Sequence, residues 1–183
     1  MEPWLETFSG TKINILDPRP EDFRVGDIAH ALAHTCRYNG HSKGFYSVAQ
    51  HSVIVSRCCS LSVAKWGLLH DAAEAYLSDV PAPLKQFLYD YKKFESLFEE
   101  RIAKAFGLRM PVPKEVKKLD LGMLKIEHRD VIQCQNNSWE VDLMPLSEPL
   151  KSIVILDLWT PQKAEKEFLD RFVSLFDPGK IMF

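Results

Sequence analysis

The sequence predicts a mostly α-helical bundle with a small β-hairpin at its N-terminal edge. Two observations carry this. From residue 25 onward, apolar side chains recur at three- and four-residue intervals, the period of a helix with one buried face. Ahead of them, residues 4–16 hold two short β-compatible runs around a Ser9-Gly10 turn signal, and Pro18-Arg19-Pro20 ends the segment. A chain of 183 residues, 46% apolar and 26% charged, can bury a core without disulfides or a structural metal. Residues 1–183 are therefore expected to form a single domain.

The helices follow in order. In 25–37, Val25, Ile28, Ala29, Leu32, Ala33 and Cys36 mark one buried face. Residues 38–46 contain two glycines, an asparagine and a serine, and read as a loop. Ser47 can cap a helix over about 48–59, although Val53-Ile54-Val55 would suit a strand by propensity. Ser62 is expected to cap a helix over 62–77, with Ala64, Leu68, Ala72 and Ala75 inward. Val80-Pro81-Ala82-Pro83 breaks the chain. A long helix over about 89–106 carries Phe94, Leu97, Phe98, Ile102, Ala105 and Phe106, with Gly107 placed for its C-terminal cap. Pro113 opens another, to about 134, with Val116, Leu119, Met123 and Ile126 inward. Residues 135–159 give no clear pattern. Thr160 and Pro161 start a last helix to about 176, on which Phe168, Phe172 and Phe176 align.

Charge and cysteine usage narrow the function classes. Lys plus Arg is 23 and Asp plus Glu is 25, so the net charge is −2. That balance argues against a protein that coats nucleic acid. No apolar run approaches the ~20 residues of a membrane span. Met1-Glu2-Pro3-Trp4 begins no basic-then-apolar leader, so a soluble cytoplasmic protein is expected. Cys36, Cys58, Cys59 and Cys134 show no zinc-finger spacing, and all four are expected to be reduced thiols.

The chemistry concentrates in His70-Asp71-Ala72-Ala73-Glu74, with Asp79 beyond it. Adjacent residues on a helix diverge by about 100°, but near a helix end His70 and Asp71 can still reach one ion. Glu74 follows one turn later on their side. Imidazole plus carboxylate is a ligand set for a divalent metal such as Zn, Mn, Fe, Co or Ni. His51, flanked by small residues, is the best upstream candidate for a further ligand. Asp120 is the best downstream one, because it interrupts an apolar helical face where an unpaired carboxylate would be costly. His30 and His34 stand four apart on one predicted helix, a spacing that can hold a metal; no Glu follows His30 in the zincin manner, so a structural role is expected. His128, between Glu127 and Arg129, reads as a helix-face residue.

His51, His70-Asp71 and Asp120 together resemble the H…HD…D signature of the HD-domain metal-dependent phosphohydrolases. Ser47–Ser52, His70–Glu74 and Ser78–Lys85 are similar to its 5′-deoxynucleotidase branch, which includes YfbR-like monophosphatases and phage dATP triphosphohydrolases. The resemblance covers roughly residues 28–130. It implies that His51, His70, Asp71 and Asp120 hold a divalent metal (Co, Mn, Zn, Fe, Ni or Mg), with a second ion conceivable beside the substrate phosphates. It implies that Glu74 handles the attacking water and that Asp79 is a second acid near the scissile phosphate. Arg37 resembles the phosphate-gripping arginine of the branch, with Tyr38 as an adjacent aromatic. Lys85 and Lys117 would add positive charge, and Pro83 in its proline segment could pack against a base. A homo-oligomer acting on a small deoxynucleotide is implied, with no nucleic-acid polymer or membrane as partner. The three cations favour dATP triphosphohydrolysis over 5′-deoxynucleotidase action on monophosphates. Hydrolysis of cyclic or alarmone nucleotides and non-catalytic sensing are the alternatives; Ala75, where an alarmone hydrolase would carry a second acid, speaks against alarmones.

Overall fold

The hairpin forms because its turn has a glycine where the backbone needs one. In the computed structural model, which describes residues 3–133, 139 and 145–176, β1 (Trp4–Glu6) pairs antiparallel with β2 (Lys12–Asn14), Leu5 opposite Ile13. Gly10 sits at φ +82°, which only glycine adopts without strain. The tip is tied to the next helix, α1 (Val25–His34): Asp27 accepts from Ser9 N at 2.7 Å and from the hydroxyls of Thr7 and Ser9, each at 2.8 Å. The chain is mostly helical, as its periodicity predicts, with this hairpin beside the bundle.

The helices pack by their apolar stripes. α1 ends at His34, and Cys36 leaves the helix to bridge Ser47 in extended geometry. A tight turn over 37–40 follows, and then α2 (Val48–Cys58), where the Ser47 hydroxyl accepts from Gln50 N as the cap. The helical reading of Val53-Ile54-Val55 holds, because Val53 and Val55 are both enclosed by neighbouring helices. The last helix, α9 (Pro161–Leu175), lies across α1 and α2, and Thr160 Oγ1 caps it by accepting from Lys163 N at 3.3 Å. Phe168 and Phe172 of α9 share the main core with Ile28, Leu32, Val53, Leu68 and Phe98. Each such buried side chain is worth about 1.5–3 kcal/mol relative to exposure.

The expected helix over 62–77 is not continuous. It is α3 (Ala64–Leu69) and the short α4 (Glu74–Leu77), with Val63 rather than Ser62 at the N-cap and no side-chain capping bond there. Between them the chain tightens into three-residue turns: Ala72 N bonds Leu69 O at 3.1 Å and Glu74 N bonds Asp71 O at 3.0 Å. The cause is local. The Gly67 carbonyl, which a continuing α-helix would offer to Asp71 N, accepts from His70 Nδ1 at 2.9 Å instead. Gly67 itself lets α3 approach α2, since a Cβ there would stand 2.6 Å from Cys59 Sγ and 2.9 Å from Ser56 Cα.

Beyond the proline break come α5 (Ala82–Lys85), α6 (Tyr89–Ala105) and α7 (Lys114–Asp130). Gly107, at φ +64°, ends the segment after α6 as expected. α7 stops at Asp130, short of 134, and Cys134 lies outside the described residues. The segment that gave no pattern contains α8 (Glu148–Lys151) and then a strap over 152–160. Alternate residues of the strap are stitched to the bundle by side chains. Ile153 O accepts from Arg129, Ile155 N donates to Asp130, and Asp157 O and Trp159 N bond the two ends of the Gln50 amide. Among the described residues, no helix is long and apolar enough to cross a membrane.

Candidate metal centre

Two helices and one tight turn converge at the site. α2 supplies His51, the tight turn between α3 and α4 supplies His70 and Asp71, and α7 supplies Asp120. His51 Nε2 stands 3.3 Å from His70 Nε2, 3.1 Å from Asp120 Oδ1 and 3.6 Å from Asp71 Oδ2. His70 Nε2 stands 3.2 Å from Asp71 Oδ2 and 3.8 Å from Asp120 Oδ1. All four residues named from the sequence as ligands are thus brought together. Donors bonded at about 2.0–2.1 Å to one ion stand about 3–3.4 Å apart; the separations at 3.1, 3.2 and 3.3 Å match that, and those at 3.6 and 3.8 Å are slightly wider. The two imidazoles are buried, and the Asp120 side chain, 40% exposed, marks the open side.

The tautomers argue the same way. His51 Nδ1 is 2.6 Å from Glu127 Oε1 and His70 Nδ1 is 2.9 Å from the Gly67 carbonyl. Both partners only accept, so each Nδ1 carries the proton and each Nε2 presents a lone pair. Two lone pairs and two carboxylates then face one another, an arrangement that needs a positive charge between them. A backbone or carboxylate acceptor behind each ligating imidazole is the usual support of a metal site. Without an ion, a proton takes its place. Burial and Arg37 lower the His51 pKa, but Glu127 and Asp120 outweigh them and push it up to about 9. Burial would raise the Asp120 carboxyl, but its bonds to His51 and His70 hold it well below the usual range.

Glu127 is the residue sequence reasoning missed. Fully buried, it accepts from His51, from Tyr46 Oη at 2.8 Å, from Arg37 Nη2 at 3.3 Å and from the Tyr38 hydroxyl. Burial alone would raise its pKa; Arg37 and His51 reverse that and hold it near 2, so it is a fixed negative charge behind the ligand. A signal existed. Glu127 is seven residues after Asp120, two turns along the face that carries Leu119, Met123 and Ile126. A second carboxylate on a buried stripe needs a partner as much as the first.

Arg37 is buried between Glu127 and Asp71, with Nη1 3.5 Å from Asp71 Oδ2. Burial pulls its pKa down, but Glu127, Tyr38 and Asp71 outweigh it and keep the group charged. Tyr38, in the left-handed region at φ +56°, spends its hydroxyl on Glu127 and stands 5.9 Å from the Trp139 ring. Glu74 is buried with Oε2 unpartnered; burial first, then Asp71 and Asp79, raises its pKa well above the usual carboxyl range. Burial also raises Asp79, which feels Arg37, Asp71 and Lys85. Lys85 Nζ reaches Glu95 at 2.6 Å and Glu74 at 3.9 Å. Lys117 is exposed and acts on Glu99, which in turn feels His70. Pro83 is exposed on α5. Cys36, Cys58 and Cys59 are free thiols, and His128 is buried and stacks on Trp139 at 4.2 Å.

No family model matches the chain. Over 125 residues it is 34% identical to "Uncharacterized protein RCAP_rcc00048" of Rhodobacter capsulatus, covering 63% of this chain and 64% of that protein. Over 178 residues it is 37% identical to "Uncharacterized protein YfdR" of Escherichia coli, covering 97% of this chain and 98% of that one. An alignment of that extent, end to end, places the chain in the same family as Escherichia coli YfdR.

Proposed function

We propose that the protein is a cytoplasmic, metal-dependent phosphohydrolase of 2′-deoxynucleotides, with dATP, cleaved to deoxyadenosine and triphosphate, as the first substrate to test. The observation that carries the reading is the pairing of the converged set His51, His70, Asp71 and Asp120 with a buried, unpartnered carboxylate oxygen, Glu74 Oε2, at the start of α4 just after two of them. A divalent ion held by those four would lower the pKa of water and neutralise phosphoryl oxygens.

The chain's own groups supply the rest. Glu74 takes the proton of the attacking water, and burial with Asp71 and Asp79 nearby raises its affinity for that proton. Water oxygen bonds phosphorus, the P–O5′ bond breaks, and the proton passes to the 5′-oxygen, with Asp79 as the second acid. Arg37, rigid between Asp71 and Glu127, offers a fixed guanidinium edge to the phosphate. The open side at Asp120 is where a substrate would enter.

A second reading, 5′-deoxynucleotidase action on monophosphates, has its own support. Two of the cations invoked for a polyphosphate already face carboxylates: Arg37 faces Glu127 and Asp71, and Lys85 faces Glu95. The deciding experiment is chromatography of dNTPs, dNMPs and ribonucleotides incubated with the protein and Co, Mn or Mg. Deoxyadenosine plus triphosphate from dATP supports the first reading, and nucleosides from monophosphates alone support the second. No metal-dependent product from any of them overturns both. Glu74→Gln is expected to bind metal and lose turnover.

A further inference from the structure

We infer a second transition-metal site at His30, His34 and Glu165, on the outer face where α1 meets α9. It is separate from the cluster above and shares no residue with it. One donor atom from each of the three lies within 4.8 Å of one from each of the others. His30 Nδ1 and Glu165 Oε2 are 3.2 Å apart, the separation of neighbouring ligands on one ion.

The protonation pattern is set as it is at His70. His34 Nδ1 lies 2.8 Å from the His30 carbonyl, an oxygen that only accepts, so His34 Nε2 presents its lone pair outward. The His30 ring is fixed from both sides. Phe8 at the hairpin tip stacks on it at 3.7 Å with an interplanar angle of 11°, and His34 lies at 4.3 Å on the helix. Phe8 is otherwise 71% exposed, so this stack is its main use. The platform beneath is stiff, because α1 and α9 pack along their lengths through Ile28, Leu32, Phe168 and Phe172.

Two imidazoles and one carboxylate select Zn, Cu, Ni or Co over Mg or Ca, with solvent completing the coordination on the exposed side. An ion there joins the first long helix to the last and holds the hairpin tip through the His30 stack. It stabilises the folded chain by its binding free energy.

The test is the zinc content and thermal midpoint of the full chain after equilibration with ZnCl2 and gel filtration. Six forms are compared: wild type, Asp71→Ala, His34→Ala, Glu165→Gln, and Asp71→Ala combined with either His34→Ala or Glu165→Gln. The expected result is one zinc retained in Asp71→Ala and its loss on adding His34→Ala or Glu165→Gln to that background. Zinc should raise the midpoint of Asp71→Ala but not that of the double variants. Cu(II) bound to Asp71→Ala should show nitrogen hyperfine coupling that weakens in the His34→Ala background. A metal-free Asp71→Ala, or zinc content unchanged by both His34→Ala and Glu165→Gln, overturns the site. If wild type and Asp71→Ala bind the same single zinc and His34→Ala binds none, this site stands and the buried-cluster reading fails.

Discussion

In both histidine–carboxylate clusters a ring donates its Nδ1 proton to a carbonyl one turn behind it: His70 to Gly67 at 2.9 Å, His34 to His30 at 2.8 Å. What stands behind the other ligands differs. His51 is fully buried and backed by Glu127, a carboxylate held by four donors. His30 and Glu165 are partly exposed, and among the described residues their side chains bond each other. The lesson is that the same residue types serve different ends according to what fixes them. Burial with complete hydrogen bonding makes a site whose geometry is set before the ion arrives. Exposure leaves one that the ion itself must order.

That contrast breaks most sharply on turnover. Asp71→Ala is expected to drop deoxynucleoside release to the rate without enzyme, whereas His34→Ala keeps the wild-type rate; chromatography of the nucleoside formed with Mn or Co reads both. Equal rates in the two variants would remove the functional distinction between the clusters.

Metal affinity tests the supporting carboxylate. Glu127→Gln is expected to weaken metal binding at the buried cluster by about 10- to 100-fold, as loss of a group behind a ligating imidazole does. Glu127→Ala should also destabilise the chain by about 3–5 kcal/mol, because Arg37 is left buried beside an empty space. Calorimetric titration and urea unfolding check the two effects.

The pH dependence sharpens the comparison further. Without metal, His51 carries a proton up to about 9, against 6.5 when unfolded. A raised folded pKa stabilises fully below the unfolded value, and that stabilisation is lost as pH rises from 6.5 to 9. A bound ion replaces the proton. Apparent metal affinity should therefore climb with pH and level off near 9, and the thermal shift given by metal should grow over the same window. A flat profile would show that no proton is displaced at His51.

The smallest expected effect is Thr160→Ala, at the cap of the helix that carries Glu165. It should cost about 1 kcal/mol in urea unfolding and leave turnover untouched.

Local pattern was enough for much of this. The hairpin needed only Ser9-Gly10 between β-compatible runs, and α1, α6, α7 and α9 show their apolar stripes in the sequence. Of the four candidate ligands, Asp120 stood out because it interrupts the apolar stripe of α7, and the set as a whole came from its resemblance to the H…HD…D signature. The break between α3 and α4 did not, because it depends on a side chain, His70, competing for a backbone acceptor. The strap over 152–160 did not either. It has no period of its own and is held by Gln50, Arg129 and Asp130 from far along the chain.

By itself, then, the sequence determined the long helices and placed Asp120 among their inward-facing residues, because both follow from periodicity over a few turns. Only the tertiary structure decided that Glu127 backs His51, that Arg37 is locked between two carboxylates, and that Glu165 meets His30 across 135 residues. Those outcomes depend on the angles at which helices pack and on where each charge finds a partner in a low-dielectric interior. No local spacing encodes either one.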